Sequence, residues 1–244
     1  MNSEFGIQNS ERNGLSQFHE NGFEILPNVF PPEKCAALAE ELSSLHQRRK
    51  ETAGNKLGGL RNLLRISPPV VELANSPTFK TILESRLNKK VFPVRAVFFD
   101  KTADANWRVA WHQDLTIAVG EKIETAEFES WSIKEEIVHV QPALKILEGM
   151  ATIRLHLDDC DADNGALKII PRSHLEGKLD AARIREWTAK ENAFVCEVPK
   201  GGALLMRPLL LHSSSSSQNP SHRRVLHIEY ATDELPNGLQ WFDR

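Results

Sequence analysis

The chain is short of everything that would mark it for export or for a membrane. It has three cysteines, Cys35, Cys160 and Cys196, an odd number with no C-x-x-C pair. Neither a disulfide framework nor a zinc knuckle is therefore expected. No apolar run approaches the roughly 20 residues needed to span a bilayer. The polar opening MNSEFGIQNSERNG has no apolar segment of the kind a secretory signal carries. A surplus of positive charge is missing too: 30 Lys and Arg stand against 33 Asp and Glu, for a net charge of −3. Nucleic acid binding needs a concentrated basic surface, so it is not expected. The densest basic stretch, HQRRK at 46–50, reads as the solvated end of a helix. These absences imply a cytoplasmic protein with no membrane or nucleic acid partner.

What is present is ordinary in bulk and uneven along the chain. Hydrophobic residues make up 41% and charged residues 26%, enough apolar material for a core of barrel size in one unit. Residues 1–14 read as a flexible leader and 15–244 as one domain. Within it, 15–90 form a helical layer: LSQFHENGFEILPNVFPPEKCAALAEELSSLHQRRK reads as helix, short strand, turn and helix. Leu38, Leu42 and Leu45 lie along one stripe of the second helix. SPTFKTILESRLN is a further amphipathic helix, and KLGGLRNLLRISPP looks loop-like at its glycines.

From about residue 91 to 232 the pattern changes. VFPVRAVFF, IVHVQP, ATIRLHL, ALKIIP, AFVCEV, ALLMRPLLLH and RVLHIEYA follow one another, punctuated by the turn-forming DDCDADNG, PKGG and SSSSSQNPS. Short strands with no regular intervening helix predict an antiparallel sandwich or barrel. The expected fold is thus mainly β: a jelly-roll, cupin-like barrel (a double-stranded β-helix) flanked by an α-helical N-terminal layer.

The stretch NWRVAWHQDLTIAV places His112 and Asp114 in an otherwise apolar run, which is costly unless hydrogen bonds or a metal compensate. On a strand, residues two apart share a face, so an imidazole and a carboxylate can meet one ion. His212, ending the apolar run RPLLLH, supplies the third member of a two-His, one-carboxylate facial triad, the donor set of non-haem Fe(II) oxygenases. A second H-x-D pair, His156 and Asp158, competes. Asp158, however, opens the acidic turn DDCDADNG, where Asp ordinarily caps or is solvated; the reading retained for His156, with Arg154, is lining the barrel interior near substrate or cosubstrate. That turn begins like a calcium loop with Asp159, Asp161 and Asp163, then fails at Asn164 and Ile170, where Gly and Glu are required. Arg61 and Asn62 in GGLRNLLR are either substrate contacts from the helical layer or local capping groups. The charged segment 118–136 is either a lid over the barrel mouth or a surface excursion.

In order and spacing, FHENGFEILPNVF, WHQD, LHLDDCDADNGALKIIPRSH and LLLHSSSSSQNPSHRRVLHIEY together resemble the phytanoyl-CoA dioxygenase family of Fe(II)- and 2-oxoglutarate-dependent oxygenases, over about residues 16–231. The resemblance implies iron on His112, Asp114 and His212, with O₂ and 2-oxoglutarate as cosubstrates. It implies that an Arg eleven residues past the distal His, Arg223, binds the far carboxylate of 2-oxoglutarate, a match for a planar, bidentate guanidinium. Arg224 would face the other side of the strand. The resemblance also implies that Ser214 assists Arg223, and that Gln113 and Trp131 lie near the cosubstrate. PRSH departs from the usual Pro-Gly-Ser-His and puts a nearby turn in question. Asp114 itself argues against halogenation, since halide-transferring relatives replace this carboxylate by a small residue. The expected activity is hydroxylation of a small molecule with release of succinate and CO₂. The rivals are a cupin-like metal enzyme without 2-oxoglutarate, which would not need Arg223, and a non-catalytic barrel that binds a small molecule.

Overall fold

The computed structural model describes residues 17–53, 59–218 and 221–244; the expected leader, residues 1–14, lies outside them. The sheets follow from strict alternation in the longest strands. In β12 (Arg223–Ala231), Leu226, Ile228 and Tyr230 face one way, while Arg223, Val225, His227 and Glu229 face the other. β12 is paired with β2 (Phe92–Lys101) on one side and β7 (Met150–His156) on the other. With β10 (Ala203–Met206) and β1 (Phe23–Leu26) they form an antiparallel sheet of order β1-β10-β7-β12-β2.

The apolar side of this sheet is covered by the N-terminal helices. A helical turn α1 (17–21) precedes β1, and α2 (Pro32–Ala53), α3 (Leu63–Ile66), α4 (Pro68–Ala74) and α5 (Pro77–Leu87) follow it. Leu38, Leu42, Leu63, Phe79 and Leu83 pack with Phe98, Ile153, Leu155, Leu226 and Tyr230 in one buried cluster. Tyr230 donates its hydroxyl to the Ala74 carbonyl at 2.9 Å, so the buried polar tip is satisfied. Helix α5 starts where its sequence says it should. The Ser76 hydroxyl accepts from the Phe79 N–H at 3.4 Å, and Pro77 takes a position where an N–H is dispensable.

Two smaller sheets complete the structure. One has the order β3-β11-β8-β9, from β3 (Val109–His112), β11 (His212–Ser214), β8 (Leu167–Ile169) and β9 (Phe194–Cys196). The other has the order β4-β6-β5, from β4 (Ile117–Val119), β6 (Ile137–Gln141) and β5 (Glu129–Lys134). Side chains of β3 and β11 share a cavity with the polar face of the large sheet, so the sheets face one another as in a jelly roll. No described helix is long and apolar enough to cross a membrane.

Two expectations need correction. The run ALLMRPLLLH is not one strand: β10 ends at Met206, and β11 begins at His212 in a different sheet. Pro208 cannot donate to a ladder, and Leu210 N–H closes a turn onto the Arg207 carbonyl at 3.1 Å. The β region also contains regular helix, namely α6 (Leu144–Glu148) and α7 (Ala181–Lys190), the latter capped by the Asp180 carboxylate. The stretch after the glycines is helical, as α3 and α4.

Candidate functional site

Strand register arranges the polar face of the large sheet in rows. Arg95 pairs with Glu229, Val97 with His227, Phe99 with Val225, and Lys101 with Arg223. On the other side of β12, Arg154 is opposite His227 and His156 opposite Val225. The first row holds an ion pair, Arg95 to Glu229 at 3.1 Å. In the second, the Arg154 guanidinium donates to His227 Nδ1 at 2.8 Å. An arginine can only donate, so His227 carries its proton on Nε2 and directs it to Glu229 at 3.2 Å. Burial works against the Glu229 carboxylate, yet Arg95 and His227 hold its pKa below the ordinary value.

The facing sheet brings the predicted triad together. His112 and His212 are partners across β3 and β11, with ring centroids 4.1 Å apart. Asp114 is not on the strand, as the face argument assumed. It lies two residues beyond β3, fixed by its N–H to the Pro208 carbonyl at 2.9 Å. Its two oxygens are 3.7 Å from His112 Nε2 and 3.6 Å from His212 Nε2, and one ligand atom from each residue lies within 4.8 Å of the others. His112 Nδ1 bonds the Ala110 carbonyl and His212 Nδ1 the Leu210 carbonyl, each at 2.9 Å. A carbonyl can only accept, so both rings carry a proton on Nδ1 and turn Nε2 toward Asp114. Backbone carbonyls orient metal-binding imidazoles in this way. The neighbouring His charges outweigh burial and depress the Asp114 pKa, while burial lowers that of His212 to about 4. The cluster thus presents two imidazole Nε2 atoms and one carboxylate, a donor set suited to a divalent first-row ion.

The cavity in front of the triad has a volume of about 520 Å³, within the usual range for small-molecule sites. Arg223 lines it from the start of β12, 3% exposed. One of its terminal nitrogens donates to the Gly165 carbonyl at 3.2 Å, but its Nε has no partner. Ser214 lines the cavity beside it. Arg154 also lines it, buried, with Nε unpartnered. Buried unsatisfied donors cost about 1–3 kcal/mol each, so these two guanidinium groups, each with an unpartnered Nε, fit a carboxylate-bearing guest. Arg224 turns the other way and takes a bidentate grip on Asp158, at 2.6 and 2.8 Å. The second H-x-D pair is therefore divided: Asp158 serves Arg224, and His156 is buried without a hydrogen-bond partner and does not line the cavity. The acids of the turn are occupied locally, Asp161 accepting from the Asp163 and Asn164 N–H groups and Asp159 from the Lys200 N–H.

The remaining expected residues separate. Gln113 lines the cavity, but its amide is spent on backbone: Gly177 and Leu209 carbonyls at 2.8 and 2.6 Å, and the Leu179 N–H at 2.8 Å. It is a clamp between the strand end and two loops. Trp131 packs with Ile117 and Val140 in a separate apolar cluster and is not a lining residue; the lining tryptophan is Trp107. Arg61 reaches the cavity and pairs with Glu135 at 3.0 Å. Asn62 does not line it and holds a left-handed φ of 62° ahead of α3. Sequence reasoning missed Lys101, Arg95, His227 and Glu229. The signal for the last two was available in RVLHIEYA, where polar residues alternate with apolar ones.

The family model for phytanoyl-CoA dioxygenase matches residues 18–225. Among solved structures, AviO1 from Streptomyces viridochromogenes Tue57 is 19% identical, with 93% of this chain and 97% of that chain covered and a TM-score of 0.66. EctD from S. alaskensis, solved with 2-oxoglutarate and 5-hydroxyectoine, is 17% identical over 90% of this chain and 75% of that one, at 0.70. SnoK, a non-heme alpha ketoglutarate dependent carbocyclase from nogalamycin biosynthesis, is 14% identical over 91% and 84%, at 0.69. At these identities the likeness is one of fold. No curated protein matches the chain in sequence.

Proposed function

Because the chain belongs to the phytanoyl-CoA dioxygenase family, we propose that it is an iron(II)- and 2-oxoglutarate-dependent oxygenase that hydroxylates a small molecule. The observation that carries this reading is a juxtaposition. A three-donor cluster of His112, Asp114 and His212 shares one cavity with a buried arginine whose Nε lacks a partner. His112, Asp114 and His212 would hold iron from one side, leaving positions open toward the cavity. Arg223 and Ser214 would receive the far carboxylate of 2-oxoglutarate. Bound together, iron and 2-oxoglutarate supply the activation of O₂ that oxidises a substrate C–H bond and releases succinate and CO₂.

The protein's own part is orientation and exclusion of water. The Ala110 and Leu210 carbonyls hold both imidazoles in the ligating tautomer, and Gln113 fixes the turn that carries Asp114. Val97, Phe99 and Leu167 wall the cavity with apolar surface, which strengthens electrostatic contacts inside it. Hydroxylation is the outcome we favour. EctD, solved with 5-hydroxyectoine, supports that choice, and SnoK, a carbocyclase, marks the other outcome such a site can reach. A cupin-like enzyme without 2-oxoglutarate would have no use for Arg223. Three buried free thiols support a reducing, cytoplasmic setting.

The test is an anaerobic titration with Fe(II) and then 2-oxoglutarate, following the weak visible charge-transfer band of the chelated complex. The expected result is a band in wild type that Asp114→Ala abolishes and Arg223→Ala weakens. Tight iron binding with no band on adding 2-oxoglutarate would overturn the reading.

A further inference from the structure

The cavity is more positive than the proposed reaction requires. Five of its lining side chains are cationic, Arg61, Arg95, Lys134, Arg154 and Arg223, against two acids, Asp114 and Glu229. Counting Glu135, which pairs with Arg61 at 3.0 Å, the surplus is two positive charges, and a divalent iron with dianionic 2-oxoglutarate leaves it unchanged. Glu229 is already committed to Arg95 and His227. Unbalanced charge in a partly desolvated cavity is costly, so the surplus calls for a further anion.

The outermost cations come from two separate parts of the fold and meet at the mouth. Arg61 extends from the helical layer ahead of α3. Lys134 is the last residue of β5, at the tip of the β5–β6 hairpin. The two-residue turn there, Glu135 and Glu136, has both residues left-handed, φ 50° and 65°, the geometry that suits a tight hairpin. The turn brings Glu135 onto Arg61 at 3.0 Å, while Lys134 makes no ion pair among the described residues. Arg61 is thus held at the mouth by an internal, partly exposed carboxylate, a weak pairing that an incoming anion can displace.

The geometry points to an anionic substrate: a small molecule with a carboxylate or phosphate group that docks between Arg61 and Lys134, its apolar part lying along Val97, Phe99 and Leu115. Glu135 occupies Arg61 until the substrate acid replaces it. This substrate class rests on the oxygenase reading of the same site. It was not legible in the chain, because the cations come from distant segments.

The test uses protein loaded anaerobically with Fe(II) and 2-oxoglutarate, so that the charge-transfer band reports an intact cosubstrate site before any probe is added. Phenyl phosphate, phenylacetate and the neutral phenylacetamide are then titrated by calorimetry. The expected result is that at least one acid binds about tenfold or more tighter than the amide, as charge-assisted hydrogen bonds would give, and the stronger acid identifies the head group. Arg61→Gln and Lys134→Gln should each remove most of that preference, and Glu135→Gln should raise acid affinity several-fold. Failure of every probe to bind, equal binding of acids and amide, or a preference that survives the Arg61→Gln/Lys134→Gln double variant would overturn the inference. A normal band in those samples would leave the oxygenase reading standing; loss of the band in wild type would instead remove that reading.

Discussion

Lys101 is 1% exposed and makes no ion pair among the described residues. Its ammonium donates to the Ser214 hydroxyl at 3.2 Å and the Ser215 carbonyl at 2.5 Å, and sits 5.8 Å from the centre of the Trp107 ring. Burial, and then the charge of Arg223, push its pKa down to about 8. An unfolded lysine keeps its proton to about pH 10.4. Between these values the unfolded chain binds the proton and the native state releases it, so stability rises with pH across the window. The cosubstrate-free protein is therefore expected to gain resistance to urea from about pH 8 to about pH 10 relative to Lys101→Met, which lacks the group. Identical pH slopes for the two would remove Lys101 as the cause. A carboxylate bound at Arg223 and Ser214 restores a counter-charge, so 2-oxoglutarate binding near pH 8 should take up protons.

At the scale of elements, β12 carries two arginines in succession with opposite tasks. Arg223 faces the cavity; Arg224 faces Asp158 on the far side of the strand. Asp158→Ala leaves Arg224 without its carboxylate and should lower stability by about 1–3 kcal/mol, with iron and 2-oxoglutarate affinities unchanged. Arg223→Ala should do the reverse. It relieves the repulsion with Lys101 and Arg154, so stability holds or rises while 2-oxoglutarate affinity falls at least tenfold. Chemical unfolding and the anaerobic titration, run on both variants, separate the two phenotypes; matching losses in both would contradict the opposed faces. This opposition was legible in RRVLHIEYA because a period of two is a local property of the chain. The sheet switch between Met206 and His212 was not, since leucines around Pro208 read alike whether they continue a strand or turn a buried corner. Helix α7 escaped for a different reason. None of its residues is fully buried, and its apolar stripe is only Ile184 and Trp187, packed on Leu179 and Leu211, so the pattern is narrow and the capping Asp180 was the other signal. Trp131 and Trp107 show the same limit within the site. Which of two tryptophans turns to the cavity depends on how β5 and the loop before β3 pack, and neither neighbourhood encodes that locally.

For the molecule as a whole, the triad matters because its members are close in space and distant in sequence. His112 and Asp114 belong to the end of β3 and the turn after it. His212 opens β11, next to the corner where the chain crosses from one sheet to the other. An ion held by all three ties that corner, through Asp114 and its bond to Pro208, to the sheet opposite the helical layer. The unfolded chain has no such assembled site, so binding energy becomes folding energy. At a free iron concentration of about 100 times the dissociation constant, the stabilisation is about 2.7 kcal/mol. In a chain of this size that corresponds to a rise in melting temperature of roughly 5–11 °C. The rise should be reversed by a chelator, absent in Asp114→Ala, and undiminished in Asp158→Ala even though the latter starts from a lower temperature. The two variants remove the same functional group from the two H-x-D pairs, so the comparison isolates which pair binds metal. A shift that survives Asp114→Ala and disappears with Asp158→Ala would move the metal to the wrong side of the barrel and overturn the assignment of the triad.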